Sequence, residues 1–207
     1  MTVRAAAACW LVGGATYVIL EAAAAAAYPG YRYAHDFISD LGRPDSPQAH
    51  LMNTAFVVQG GLFGLAGVLL TRAVDGRRPV VFVGLAAANA VGNVVVAAVP
   101  SGSPGTAWLH VCGATVAILG GNAAVLAGAP FTSASRSYRL VSRALAGTGL
   151  LSFAALAVAA ATSTTVLLPS AVWERTSVYT IIGWQVLSAI ELLAHRQRSM
   201  ASGSRGD

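Results

Sequence analysis

A small set of ionisable side chains interrupts an otherwise apolar sequence, and these residues are the candidates for chemistry. Asp36 and Asp40 lie four positions apart in the longest polar segment. His110 stands near the start of a later apolar run, and Glu174 and Arg175 precede the last one. Paired carboxylates and a histidine can transfer protons or hold a metal ion, and an arginine can bind an anionic head group. We therefore take Asp40 and His110 as candidate catalytic groups, and Asp36, Glu174 and Arg175 as candidate substrate-binding groups.

Glu21 is the ionisable residue that lies deepest in the first apolar run. It stands about six residues from the end of that run, or roughly 9 Å at 1.5 Å per residue. Burial penalises a charged carboxylate, so Glu21 must be protonated or must face a cation or water. Gly13 and Tyr17 precede it at a spacing of four, which puts the three residues on one helix face. Glu21 is a further candidate binding residue.

The catalytic signal is weak, because no motif with known mechanics accompanies these residues. The sequence has no HExxH, no nucleophile elbow and no CxxC pair. We expect no metal and no cofactor. Three functions stay open: an enzyme or binder acting on a lipid, a non-enzymatic membrane subunit or scaffold, and a small transporter with Glu21 as its proton site. For Asp36 and Asp40, the structural alternative is loop capping or an ion pair with Arg32, Arg43 or Arg175.

The composition shows what kind of architecture must position these residues. Only 10% of the 207 residues are charged and 56% are hydrophobic, whereas soluble domains carry about 25% charged residues. Six runs reach the roughly 20 apolar residues that a bilayer-spanning helix needs, and none alternates as a barrel strand would. The predicted fold is all-α: an integral membrane bundle of six transmembrane helices over residues 1–195. The six helices are predicted at about 5–27, 47–71, 80–99, 107–129, 140–161 and 177–194.

The arginines predict the orientation of this bundle. All basic residues are arginine, and ten of the 13 fall on one side of the predicted spans. These ten are Arg4, Arg72, Arg77, Arg78, Arg136, Arg139, Arg143, Arg196, Arg198 and Arg205. The positive-inside rule then places both termini in the cytoplasm of a multi-pass protein of the cell inner or plasma membrane. The basic charge indicates anionic lipids as partners and no nucleic acid, and residues 196–207 are predicted to be a disordered basic tail.

Two features of the apolar runs qualify this picture. The start MTVR, an apolar run and an Ala-x-Ala tract also describe a secretory signal, whose removal would leave five helices. Within the runs, small residues at a spacing of four predict close helix packing, and buried amides predict interhelical hydrogen bonds. The small residues are Gly84, Ala88 and Gly92 in one run and Gly113, Ala117 and Gly121 in the next; the amides are Gln59, Asn89, Asn93, Asn122 and Gln185.

The first outer loop reads YPGYRYAHDFISDLGRPDSPQAH and is the longest connection. The spacing of Asp36 and Asp40, and of Phe37 and Leu41, predicts a short amphipathic helix with both carboxylates on one face. We expect this loop to bring the scattered candidates into one outward-facing vestibule. Its predicted members are Glu21, Asp36, Asp40, His50, His110 and Glu174.

Three sequence elements together resemble a known family. They are ISDLG at 38–42, His110, and WERTSVY at 173–179. This pattern is similar to the bacterial membrane family called domain of unknown function 998, over nearly the whole chain, and ISD-x-G is distantly similar to DRAM and Frag-type six-helix membrane proteins. The resemblance implies a six-helix topology and no established reaction, and its shared positions are Asp40, Gly42, His110, Glu174 and Arg175. The link of some relatives to lipid-anchor remodelling gives a lipid-related role by analogy.

Accessibility labelling tests the predicted orientation. A reagent that does not cross the membrane should modify residues within 36–43 from the outside of intact cells, since the arginines place this loop opposite the cytoplasm. Labelling of the same segment only after the membrane is opened would contradict the predicted topology.

Overall fold

Six long helices make up the part of the chain that the structure describes. The structure is a computed structural model that describes residues 2–72 and 79–203, with only the backbone of residues 195–203. The helices are α1 (Thr2–Ala27), α2 (Ala49–Arg72), α3 (Val80–Ala98), α4 (Ala107–Thr132), α5 (Arg136–Thr162) and α6 (Ser170–Gly203). Each contains a segment long and apolar enough to cross a membrane. The prediction of an all-α chain with six spans is confirmed for these residues.

The helices pack as a closed bundle of sequence neighbours. Each helix contacts the next one along the chain, and α6 also contacts α1, which closes the ring. Further contacts join α4 to α6 across the centre. The connections at 28–48, 99–106 and 163–169 lie at one end, which we call the loop face, and both chain termini lie towards the other end, the terminus face. A short 3₁₀ helix, Ile38–Gly42, covers the bundle at the loop face.

Several helices extend beyond the apolar segments that predicted them. α5 begins at Arg136 rather than at residue 140, and α6 begins at Ser170 rather than at residue 177. Hydropathy finds only the part of a helix that lies in hydrocarbon, whereas helical hydrogen bonding continues through polar turns. Glu174 and Arg175 therefore lie on α6 rather than before it. α6 also continues to Gly203, so the described part of the tail that was predicted to be disordered is helical. Residues 204–207 lie outside the described residues. The predictions for Arg77 and Arg78 also fall outside them.

Aromatic side chains fill the half of the bundle nearer the terminus face. The rings of Trp10 and Trp184 meet edge to face with centroids 5.0 Å apart, and Phe63 and Phe82 pack edge-on against Trp184 at 6.2 and 6.3 Å. All four are fully buried. The Trp184 indole N–H donates to Ser142 Oγ at 3.0 Å.

Glycine permits a close approach of the backbones of α3 and α4. A methyl group on Gly92 would collide with the backbone of Gly113 and Ala117. A methyl group on Gly84, which the sequence placed on the same packing face, would meet nothing within 4 Å. The predicted small-residue contact is therefore present at Gly92 and absent at Gly84.

This contrast gives a matched pair of substitutions on one helix. Gly92→Ala should lower the free energy of unfolding by about 1–3 kcal/mol, because α3 must move away from α4. Gly84→Ala should be neutral or slightly stabilising, since alanine favours the helix. The midpoint of thermal unfolding in detergent measures both, and equal midpoints for the two variants would contradict the proposed contact.

Candidate functional site

A network of amide side chains crosses the centre of the bundle. Gln59 Nε2 donates to Gln185 Oε1 at 3.2 Å, and Asn93 Nδ2 lies 3.4 Å from Gln59 Oε1. Asn89 Nδ2 donates to the carbonyl of Ala117 at 2.8 Å. These bonds join α2, α3, α4 and α6. The predicted interhelical hydrogen bonds are confirmed, and they keep most of the buried amide groups satisfied.

A second amide joins α4 to α6. Asn122 Nδ2 donates to the Ser177 carbonyl at 2.9 Å, and the Thr180 hydroxyl donates to Asn122 Oδ1 at 2.9 Å. Both side-chain atoms of this amide are thus occupied, so Asn122 is a structural residue that fixes the rotation of α6.

Glu21 and Arg175 form a buried ion pair between α1 and α6. Arg175 Nε lies 3.6 Å from Glu21 Oε1, and the two side chains are 8% and 2% exposed. The Tyr179 hydroxyl lies 2.9 and 2.8 Å from the two oxygens of Glu21. Of the alternatives expected for Glu21, the structure therefore gives a cation, and this cation is Arg175.

Arg175 also anchors the loop at 28–48. Its Nη1 donates to the Asp36 carbonyl at 2.7 Å, and its Nη2 donates to the Tyr31 hydroxyl. The Tyr33 ring lies beside the guanidinium, with its centroid 5.1 Å from Cζ. Burial raises the pKa of the Tyr31 phenol, which therefore stays protonated and donates to the Phe37 carbonyl at 2.9 Å. The guanidinium of Arg175 is thus turned towards Glu21 and the loop, and its Nε, which faces Glu21, makes no hydrogen bond.

The loop does not form the predicted amphipathic helix. Asp36 Oδ2 accepts the Arg32 N–H at 2.6 Å, whereas Asp40 Oδ2 accepts the Phe37 N–H at 3.0 Å at the start of the 3₁₀ helix. Each carboxylate caps a different turn, because aspartate side chains compete with helical hydrogen bonding for nearby backbone N–H groups. The two carboxylates therefore do not share one helix face.

The 3₁₀ helix is connected to both sides of the bundle. Glu174 Oε2 on α6 accepts the Ile38 N–H at 2.6 Å. On the other side, Ser101, which follows α3, donates to the Ser39 carbonyl at 3.3 Å. Within the loop itself, Asp40 Oδ1 lies 3.9 Å from Arg43 Nη1. Ile38 and Leu41 are buried beneath it. We call residues 31–43, which include this 3₁₀ helix, the lid.

A small cavity of about 40 Å³, lined by both polar and apolar residues, lies below the lid. Its polar walls are contributed by α1, α2, α3, α4, α6 and the lid. The lining polar residues are Tyr17, Ser39, Gln59, Asn89, Asn93, His110 and Glu174. His110 is 7% exposed, and its Nδ1 lies 2.7 Å from the Val99 carbonyl. A carbonyl can only accept, so Nδ1 carries the proton of this hydrogen bond, and Nε2 is the ring nitrogen left to contact a ligand.

A larger apolar groove of about 320 Å³ opens between α4 and α5 on the outer surface of the bundle. Its walls are mainly apolar: Phe37, Val111, Ala114, Ile118, Phe153, Leu156, Ala157 and Ala160. Ser39, His110 and Glu174 line this groove as well as the cavity, together with Ala114 and Ile118. The groove and the cavity therefore adjoin, and His110 and Glu174 stand at their junction.

The candidates from the sequence fall into four places rather than one vestibule. His110 and Glu174 meet at the junction, whereas Asp36 and Asp40 line a separate surface depression of about 230 Å³. His50 lines a crevice with Val57 on α2. Glu21 is paired with Arg175. The carboxylates of the loop, Asp36 and Asp40, accept hydrogen bonds from backbone N–H groups and pair with arginines of the loop, and they do not line the cavity with His110.

Two lining residues were not predicted as site residues. Tyr17 and Asn89 are 1% and 2% exposed, yet Tyr17 Oη and Asn89 Oδ1 have no hydrogen-bond partner. The sequence identified Tyr17 only as a residue on the same helix face as Glu21, and Asn89 only as an amide within an apolar run. Among the described side chains, no three His, Cys, Asp or Glu residues gather closely enough to hold a metal ion.

Comparison with known proteins gives a family without an assigned activity. A family model described as "Protein of unknown function (DUF998)" matches residues 11–191, so the chain belongs to that family. No curated protein and no solved structure matches the chain.

Removing one partner of the buried ion pair should destabilise the fold strongly. Glu21→Gln keeps an oxygen for Tyr179 but leaves Arg175 without a counter-charge, which costs about 3–5 kcal/mol of unfolding free energy. Arg43→Gln is the control, because Arg43 pairs with Asp45 at the surface, where such pairs contribute about 1 kcal/mol or less. Thermal unfolding in detergent compares the two variants, and similar midpoints would show that the ion pair does not hold the lid and α6 together.

Proposed function

We propose that this member of a family of unknown function binds a membrane lipid, with the acyl chain in the α4–α5 groove and the polar head at His110 and Glu174. The observation that carries the proposal is that an apolar groove and a polar cavity share one wall. A lipid has the same two parts in the same order. The groove gives the chain apolar contacts, and the polar cavity gives the head group hydrogen bonds that hydrocarbon cannot supply.

The position of the groove supports access from the bilayer. Neighbouring side chains of α5 point away from the bundle, including Leu151 at 74% and Val158 at 51% exposure. In a membrane this surface contacts acyl chains, so a lipid can enter sideways without crossing water. Phe37 of the lid lines the same groove as His110 and Glu174, so a head group bound at those two residues would lie next to the lid.

The other candidate residues act on the lid rather than on the lipid. Arg175 and Glu21 hold the lid to α1 and α6, while Asp36 and Asp40 cap its turns. We propose His110 and Glu174 as the groups that contact the ligand, and the rest as groups that position them. His110 and Glu174 can also exchange protons with a bound head group, which keeps an enzymatic role compatible with the same site.

The orientation belongs to the same proposal. The ten arginines that the sequence assigns to the side of the chain termini predict that the lid and the site face outward and that the lipid comes from the outer leaflet of the cell membrane. A transport route through the bundle has less support, because Trp10, Phe63, Phe82 and Trp184 close the half nearer the terminus face.

Filling the groove tests lipid binding. Ala157 lines the groove and is exposed, so Ala157→Trp should occupy the space of the acyl chain. Val158→Trp is the matched control, because Val158 is the next residue on α5 and does not line the groove. Mass spectrometry of lipid extracted from the detergent-purified protein should find about one bound lipid per chain in the unaltered protein and in Val158→Trp, and at least about tenfold less in Ala157→Trp.

A non-enzymatic scaffold without a lipid site gives a different result. In that case the unaltered protein and both variants would retain the same small amount of lipid, and this outcome would contradict the proposal.

A further inference from the structure

We propose that the head group in this site is a small uncharged hydroxyl, so that the ligand is a lipid alcohol rather than a phospholipid. This inference rests on the proposed function and specifies its ligand class. It is carried by two buried polar atoms of the cavity that no protein group satisfies.

Tyr17 Oη on α1 and Asn89 Oδ1 on α3 are those two atoms. Both residues line the cavity and are almost completely buried, and neither atom has a hydrogen-bond partner. Most of the buried amides nearby are hydrogen-bonded, so the bundle can satisfy polar groups at this depth. Buried polar atoms without a partner are costly, and a group that enters the cavity gains by pairing with them.

The two atoms differ in the hydrogen bonds that they can form. Asn89 Oδ1 is an amide oxygen and can only accept, while Asn89 Nδ2 already donates to Ala117; the Tyr17 hydroxyl has a proton to donate and lone pairs that can accept. A ligand hydroxyl can donate to Asn89 Oδ1 and accept the Tyr17 proton at the same time. An ammonium group can donate to both oxygens but leaves the Tyr17 proton unpaired, and a carboxylate or a fully ionised phosphate has no proton for Asn89.

The charges around the cavity oppose an anionic head group. Glu174 lines both the cavity and the groove, and no arginine is among their lining residues within the described part of the chain. Arg175 follows Glu174 in sequence but turns to Glu21 and the lid. An anionic head group would therefore meet a carboxylate with no arginine beside it, whereas a hydroxyl can donate to that carboxylate.

The size of the cavity limits the head group further. A water molecule needs about 10–15 Å³ of such space, and the cavity offers about 40 Å³. This volume accommodates a hydroxymethyl group and one or two water molecules. A phosphate that carries a further alcohol is too large to enter without displacing the lid.

Competitive photolabelling with a set of matched lipids tests the inference. The full-length protein in phosphatidylcholine nanodiscs is exposed to four hexadecyl compounds that carry the same photoreactive group in the chain. Their heads are an alcohol, an amine, a carboxylate and a phosphate. The alcohol should label the α4–α5 groove at least about tenfold more than each of the others, with the labelled peptides identified by mass spectrometry.

Two tyrosine variants separate the hydroxyl contact from a general effect on folding. Tyr17→Phe removes only the unpaired oxygen, so the fold should keep its thermal stability while alcohol labelling falls about five- to tenfold. Tyr138→Phe is the control, because the Tyr138 hydroxyl pairs with Ser188 and lines neither the groove nor the cavity. Its labelling should be unchanged.

The outcomes distinguish this inference from the proposed function. If all four heads label the groove equally, if a charged head labels it best, or if Tyr17→Phe has no effect, the lipid alcohol is overturned. Lipid binding itself survives these results as long as Ala157→Trp blocks labelling and Val158→Trp does not. If Ala157→Trp leaves the labelling of every compound unchanged, the proposed function fails and the inference fails with it.

Discussion

The guanidinium of Arg175 is the group on which the arrangement of the loop face depends. A buried cation in an apolar bundle is costly unless each of its donors has a partner. Here the partners come from three separate parts of the chain: Glu21 on α1, and Tyr31 and the Asp36 carbonyl in the lid. Satisfying one side chain on α6 therefore fixes the position of α1 and of the loop that covers the bundle.

The fixed lid in turn defines the cavity below it. With the lid in place, the Ile38 N–H reaches Glu174, and Ser39 forms part of the wall shared by the cavity and the groove. The ionisable residues thus divide by use. Arg175, Glu21, Asp36 and Asp40 satisfy one another or the backbone, whereas Glu174 and His110 face space that a ligand can fill. The unpartnered Tyr17 and Asn89 lie deeper in the same space.

The number of helices and the presence of buried amide bonds were predictable, because both follow from local composition. Each span has about the length that crosses the hydrocarbon core, and an amide within a span is stabilised by a partner on another helix. The ends of α5 and α6 were not predictable from hydropathy, because their polar first turns are helical without being apolar. The lid was also mispredicted, because the spacing of Asp36 and Asp40 fits a helix face as well as it fits two separate backbone caps.

The sequence by itself determined an all-helical bundle with six apolar spans, and it identified His110, Glu174 and Arg175 as unusual residues for such a bundle. Only the tertiary structure decided which of them is paired and which faces open space. Hydropathy is a property of single segments, whereas pairing depends on the rotation and separation of neighbouring helices. Those are set by contacts such as the one at Gly92, which no single segment contains. Tyr17 and Asn89 became candidates for the same reason, since a missing partner is visible only when all neighbours are in place.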